Sequence, residues 1–491
     1  MGKTQSNSNL VFRSMHSQTL ITVILGILEL IYFSVMSRLL TQQDFGFFAL
    51  ITAVTTVLTS LSDAGLGAAI IQNKNANNKF ISTAFSLSII SGFIFCLILF
   101  FCAPLFSDMM TGDHSLTLAF RIISIIMLFQ GINNIHNAQY IKNFNFFKLG
   151  IYRALVYVCS SSVGIFMALN DFGFYSIIGA IITNQFLFTI LMLWVNRKEK
   201  INFKIYKENV KSILGFGGWL TATVIIRNIT EQMDKLIVAR LLSVTTVGEI
   251  NRPNGFVNTI SSKINSIFDT ILFPILSSVQ DNKDSLKSAF EKSTSLVIVF
   301  SSFLSGVIVL SSKYIIDIFF GHEWENVTKL LWVFGFSIIF NGISRIQDCF
   351  FRSMGIMKAY FIVRLLSCIL TIVMIIIGCQ FGAIGVAFAI LISNFLSFVI
   401  KYTVLMRYIG FSTKRFIINI GKNTWLSIFI ELLCFIPILY FEPAQYFIIF
   451  IYILIIVLTI LLFPNAFGEL FYEQIIKRYL YPVYKKIGIY K

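Results

Sequence analysis

The chain has 491 residues, 56% of them hydrophobic and 13% charged. Soluble domains run at about 45–50% apolar and about 25% charged, and no soluble interior is large enough to hide this much Phe, Ile and Leu. The net charge of +16 is spread over many short loops instead of one face, which excludes a nucleic-acid partner and leaves a membrane reading.

The seven cysteines (Cys96, Cys102, Cys159, Cys349, Cys368, Cys379, Cys434) all lie in apolar runs with no C-x-x-C pair. They read as small core residues, neither a disulfide framework nor a zinc site. The four histidines are scattered, so no metal site is expected.

In chain order, Lys3 and Arg13 precede an apolar stretch that contains Glu29 and lacks a small-residue cleavage site. It is too long for a signal peptide and reads as the first membrane helix. A span needs about 20 mostly apolar residues. The candidate spans are 18–40, 45–71, 80–104, 116–138, 150–169, 173–195, 213–241, 244–272, 292–316, 328–351, 360–379, 382–406, 416–440 and 445–463. Pro104, Pro437, Pro443 and Pro464 mark span ends, and Pro253 and Pro274 interrupt span 8. The expectation is an all-α polytopic membrane protein of about fourteen transmembrane helices.

Lys and Arg alternate from gap to gap, and that alternation sets orientation. One set of gaps holds Lys74 and Lys79, Lys142 and Lys148, the run from Arg197 to Lys211, Lys283 to Lys292, Arg352 and Lys358, and Lys401 to Lys422. The opposite gaps hold Asp44, Asp108, Asp113, Asp171, Asp317, Glu323, Glu325 and Glu442. Both termini are therefore expected on the cytoplasmic side.

The chain also repeats itself. Ser37-Arg38-Leu39-Leu40-Thr41 matches Ala239-Arg240-Leu241-Leu242-Ser243 at an offset of 202, where Gly46 meets Gly248 and Glu29 meets Glu231. Arg153 matches Arg364 at 211, and Phe172-Gly173 matches Phe381-Gly382 at 209. Two six-span copies of the same orientation form a parallel repeat, with two helices left over. The expected division is an N-terminal six-helix bundle over 1–196, a cytoplasmic linker over 197–212 and a second six-helix bundle over 213–407. Helices 13 and 14 over 408–464 and a basic tail over 465–491 follow.

Charges stand where hydrocarbon is expected. Span 7 carries Arg227, Glu231, Asp234 and Lys235 on one stripe, and span 8 carries Glu249, Arg252, Lys263 and Asp269. Glu29, Asp63, Arg345 and Asp348 add to the set. Each costs on the order of 3 kcal/mol facing lipid, so a shared hydrated cavity between the bundles is expected. Simpler roles stay open: Arg227/Glu231 and Glu231/Lys235 are i,i+4 pairs that can neutralise each other, Arg38 and Arg240 can satisfy helix-end carbonyls, and Arg153 and Arg364 can snorkel. No nucleotide-binding loop or catalytic constellation is present in the sequence, so an enzyme is not expected.

The run from Ser37 through Asp44-Phe45-Gly46, continuing to Ser62-Asp63-Ala64-Gly65-Leu66-Gly67 and Gln72, resembles the opening of the bacterial polysaccharide flippases of the Wzx type. These belong to the multidrug/oligosaccharidyl-lipid/polysaccharide superfamily, which also holds the MATE exporters. Ala239 to Leu242, Gly248 and Phe273-Pro274-Ile275-Leu276-Ser277 extend the resemblance, while Glu249-Ile250-Asn251-Arg252 departs from it.

The resemblance implies two bundles around a central cavity, in the bacterial inner membrane. It also implies transport of undecaprenyl-diphosphate-linked oligosaccharides for O-antigen, lipopolysaccharide or exopolysaccharide. Arg227, Lys235, Arg252, Lys263 and Arg345 are the expected diphosphate ligands. Glu29, Glu231, Asp234 and Asp63 are the expected sites of H+ or Na+ coupling, with no other cofactor. A polysaccharide polymerase and a chain-length regulator are the expected protein partners. The alternatives are a MATE-like antiporter of small molecules or cations and a membrane-embedded polymerase or ligase.

Overall fold

The computed structural model describes residues 2–63, 65–72, 77–143, 145–197, 202–215, 218–278 and 283–410, with isolated residues beyond. Side chains are described from residue 20, except 68, 72, 211–212, 214–215, 218–221, 263–278 and 283. Apart from those isolated residues, the expected helices 13 and 14 lie outside the described residues, as does the basic tail.

Among the described residues the chain is helical without strands. The helices are α1 (Gly2–Leu39), α2 (Gln42–Asp63), α3 (Leu66–Gln72), α4 (Asn78–Thr111), α5 (Thr117–Ile123), α6 (Ile126–Lys142), α7 (Phe146–Leu169) and α8 (Tyr175–Val195). They continue as α9 (Lys207–Gly215), α10 (Gly218–Leu241), α11 (Val244–Ser278), α12 (Lys283–Leu310), α13 (Ser312–Ile315), α14 (Thr328–Ser353), α15 (Met357–Cys379) and α16 (Gly382–Ile409). Ten stretches of the described chain are long and apolar enough to cross a membrane. α10 and α11 are long enough but carry the charged stripes and are not among the ten.

Three span boundaries differ from expectation. The second span stops at Asp63, because Gly65 takes the left-handed conformation (φ 75°) and turns the chain into the separate α3. Pro104 does not end the third span: α4 runs through it to Thr111 and closes on Gly112, whose N–H returns to the Asp108 carbonyl at 2.9 Å. The fourth span is split into α5 and α6 around Ser124. α11 likewise runs unbroken through Pro253 and Pro274. At the turn after α4, Asp113 accepts hydrogen bonds from the Thr111 hydroxyl (2.7 Å) and the Ser115 N–H (3.0 Å). These bonds hold its carboxyl down at about 2.

The helices gather into two units. The first holds residues 1–252 with 319–321; the second holds 253–318 and 322–491. In the first, α1 packs on α7, α7 on α8, α8 on α6, α6 on α4, and α2 on both α4 and α10. The linker is tied to this unit. The Asn202 N–H donates to Ser82 Oγ (3.2 Å), the Tyr206 N–H donates to Thr83 Oγ1 (3.1 Å), and Lys79 and Lys204 lie over the Tyr206 ring.

In the second unit, α14 packs on α12 and α16, and α15 on α16. Its core joins Phe290, Phe350, Phe351, Tyr360 and Tyr402. Phe290 meets Phe350 edge-on at 4.9 Å.

Exposure follows the bilayer and not water. On α15, Ile362, Leu366, Ile369, Val373 and Ile376 are exposed at helical spacing, and on α4 so are Phe93, Leu97, Phe101 and Leu105. Such stripes would be liabilities in water and are the lipid-facing surface of a membrane helix. Inside, hydroxyls such as those of Thr55, Ser86 and Ser393 donate to carbonyls of the preceding turn, Ile51, Ser82 and Ala389, satisfying polar atoms that find no water there.

Candidate functional site

The repeat motif comes together in the first unit. α2 and α11 start just after the two copies of the Ser37/Ala239 motif, and they cross there with no room for a side chain. A Cβ on Gly46 would collide with the Val244 carbonyl, and one on Gly248 with the Gln42 carbonyl. Gln42 and Val244 are themselves repeat mates at 202, so the crossing is reciprocal about a local two-fold. The motif arginines obey the same relation. Arg240 Nη1 stands 3.0 Å from where a Gly112 side chain would begin, and Arg38 Cγ stands 3.5 Å from the equivalent point at Gly321. Both glycines have positive φ, 76° and 94°.

Arg252, one turn further along α11, breaks that symmetry, since its repeat mate is the fully buried Leu50. Its guanidinium lies over the Phe33 ring (3.4 Å to the centroid) and the Phe45 ring (3.9 Å). It donates to Ser37 Oγ (2.8 and 3.1 Å) and to the Phe33 carbonyl (2.7 Å). Glu29, on the same α1, is half-buried and within electrostatic reach of the Tyr157 hydroxyl. Tyr157 meets Tyr32 edge-on at 6.1 Å.

α10 carries the other expected residues of this unit. Arg227 and Glu231 are paired at 3.8 Å and stay 44% and 60% exposed. Lys235 donates to Gln232 Oε1, and its backbone N–H donates to Asp234 Oδ1 at 2.8 Å. The neighbouring Asn228 donates to Ser60 Oγ on α2. Asp63, at the end of α2, accepts from Asn134 of α6.

In the second unit Asp348 is buried between two cations, Arg364 of α15 and Lys401 of α16, the latter at 2.9 Å. Lys401 is 1% exposed and also donates to Ser344. Arg345 is exposed on α14, the helix of Asp348. The first unit holds a neutral counterpart. Arg153 donates to Asn137 at 3.2 Å, and Asn137 and Asp348 are repeat mates at 211, as Arg153 and Arg364 are.

The structure therefore brings Arg227 to Glu231 and Lys235 to Asp234 along α10, and seats Arg252 against α1 and α2. It places Glu29 by Tyr157, Asp63 by Asn134, and Arg345 apart in the second unit. The Lys263 side chain lies outside the described residues. Sequence reasoning missed the depth of Lys401, counting it with the loop cations, and left Arg364 open to snorkelling; it is instead ion-paired. The one available signal was that the apolar run around Lys401 continues to Ile409.

A multi-helix membrane fold with ionisable residues set inside it is that of a polytopic membrane protein with a functional site among its helices. Solved structures share the fold. A lipid II flippase MurJ in an inward closed conformation superposes with TM-score 0.67 at 16% identity, over 89% of this chain and 97% of that one. An inward-facing MATE family multidrug resistance transporter of the MOP superfamily superposes with TM-score 0.65 at 13% identity, over 81% and 98%. Residues 35–329 match the family described as "Polysaccharide biosynthesis protein", and the chain belongs to that family. The lipopolysaccharide biosynthesis protein WzxC of Escherichia coli K12 is 24% identical over 424 residues, 84% of this chain and 83% of WzxC.

Proposed function

We propose that the protein is a flippase. It carries undecaprenyl-diphosphate-linked oligosaccharide units across the bacterial inner membrane by alternating access, for O-antigen, lipopolysaccharide or exopolysaccharide assembly. Both termini lie on the cytoplasmic side, and the polymerase and chain-length regulator of the same assembly line are its protein partners.

The observation that carries the reading is a charged helix inside a membrane chain of this family. Arg227 on α10 is nearly half exposed beside Glu231; within a span such exposure to hydrocarbon would be costly, whereas exposure to a phosphorylated head group would be favourable. Arg227, Lys235, Lys263 and Arg345 are the diphosphate ligands in this proposal, with Arg252 joining them when its partners release it. Glu29, Glu231, Asp234 and Asp63 are the groups through which H+ or Na+ would couple.

The test is complementation of a strain lacking the protein. Arg227→Ala and Arg345→Ala are expected to cut surface polysaccharide at least about tenfold, the loss of one charge-assisted contact worth about 1.4 kcal/mol or more, at unchanged membrane level. Wild-type polysaccharide in both variants removes these cations from the substrate path. Intact polysaccharide in the deletion strain, with altered drug susceptibility, selects the antiporter reading suggested by the shared MATE fold.

A further inference from the structure

The reciprocal crossing of α2 and α11 rests on close backbone approach at two glycines, and Arg252 adds a side-chain clasp beside it. Among the described residues every partner of its guanidinium is neutral: one hydroxyl, one carbonyl and two aromatic faces. All of them lie on α1 and α2, whereas Arg252 lies on α11. A guanidinium held by neutral groups is firmly oriented and electrostatically unsatisfied at once. Planar stacking and a forked donor pattern fix its place. A phosphate offers charge-assisted bonds about twice as strong as those to a hydroxyl or a carbonyl.

We infer that Arg252 is a latch across the α2–α11 crossing, released when an anionic diphosphate head group draws its guanidinium away from Phe33, Ser37 and Phe45. Arg252 is thus a positioning residue whose first task is to keep the Ser37–Gly46 and Ala239–Gly248 turns together. Its position explains the asymmetry of the repeat. Leu50, its mate, cannot be drawn off by an anion, so one trigger suffices for a crossing that is otherwise two-fold. The inference rests on the flippase reading for the identity of the anion, but the latch itself stands on the geometry.

The experiment measures the crossing directly. Spin labels go on Thr41→Cys and Ser243→Cys, both exposed and each next to a touching residue, in a background whose native cysteines are replaced. The full-length protein is placed in nanodiscs and the label distance is read by pulsed electron resonance. With Arg252 present the short distance should dominate, and undecaprenyl diphosphate in the nanodisc lipid should raise the longer-distance population at least about tenfold, as expected for a ligand binding one state better.

Arg252→Ala should show that population without ligand, and Arg252→Lys, which keeps the charge but not the planar stack, should fall between. Phe33→Leu with Phe45→Leu serves as a second variant that removes the clasp and leaves the cation. An unchanged distance distribution in both Arg252→Ala and the double Phe variant overturns the latch. If those variants open the crossing but undecaprenyl diphosphate leaves the wild type closed, release by the anion is overturned. Opening by inorganic diphosphate as well would identify the diphosphate, without its lipid, as the key. Opening in Arg252→Ala together with full polysaccharide loss in no Arg variant would sink the flippase reading and leave the latch standing.

Discussion

At the scale of single residues, Asp348 is the acid at the centre of a buried ion cluster in the second unit. Two cations, Arg364 and Lys401, share its carboxylate in the interior of the second unit. Breaking a buried pair by deleting one partner costs about 3–5 kcal/mol, because the other charge is stranded. Asp348→Ala strands two cations and is expected to be the most destabilising single change in this cluster, with Lys401→Met milder because the Arg364 pair survives. Fluorescence-detected size exclusion after a heat step reads the order; Lys401→Met melting below Asp348→Ala would contradict it. The sequence showed Asp348 as an odd acid in a membrane run, but not its partners. Arg364 and Lys401 arrive from two other helices, and no periodicity on α14 announces which cation will reach it.

At the scale of elements, the crossing of α2 and α11 depends on two positions that admit no side chain. Gly46→Val and Gly248→Val each push a side chain into a carbonyl on the opposite helix. Backbone cannot yield as a flexible side chain can, so both should lower the melting temperature and the yield of folded protein. Gly255→Ala on the same α11 meets nothing within 4 Å and should match or slightly exceed wild type, since alanine favours helix by about 1 kcal/mol. Thermal melting of the three purified variants decides the matter, and equal melting of all three would remove the crossing from the structural account. Gly46 and Gly248 were legible as repeat mates from their shared offset. Their mutual contact was not, since an offset says which residues are equivalent and nothing about which ones touch. The same limit explains α2: its apolar run continues past Asp63, and only the left-handed Gly65 tells where the helix stops.

At the scale of the whole molecule, membrane class was written in composition and pattern, because the bilayer forces every span to declare itself by length and apolarity. The two compact units divide within α11, at Arg252 and Pro253, where proline removes one rung of the helical ladder, so the first unit includes α10. That membership has a bearing on biosynthesis. A ribosome delivers α1 to α8 well before α10, so the flank of α2 that α10 covers stays bare until α10, which ends at Leu241, has emerged past the linker, at about 5–20 residues per second. A nascent chain halted after residue 196 should therefore be cleared by membrane proteases faster than one halted after residue 278. Pulse-chase of the two truncations compares their lifetimes, and equal lifetimes would mean that the early helices need no late companion.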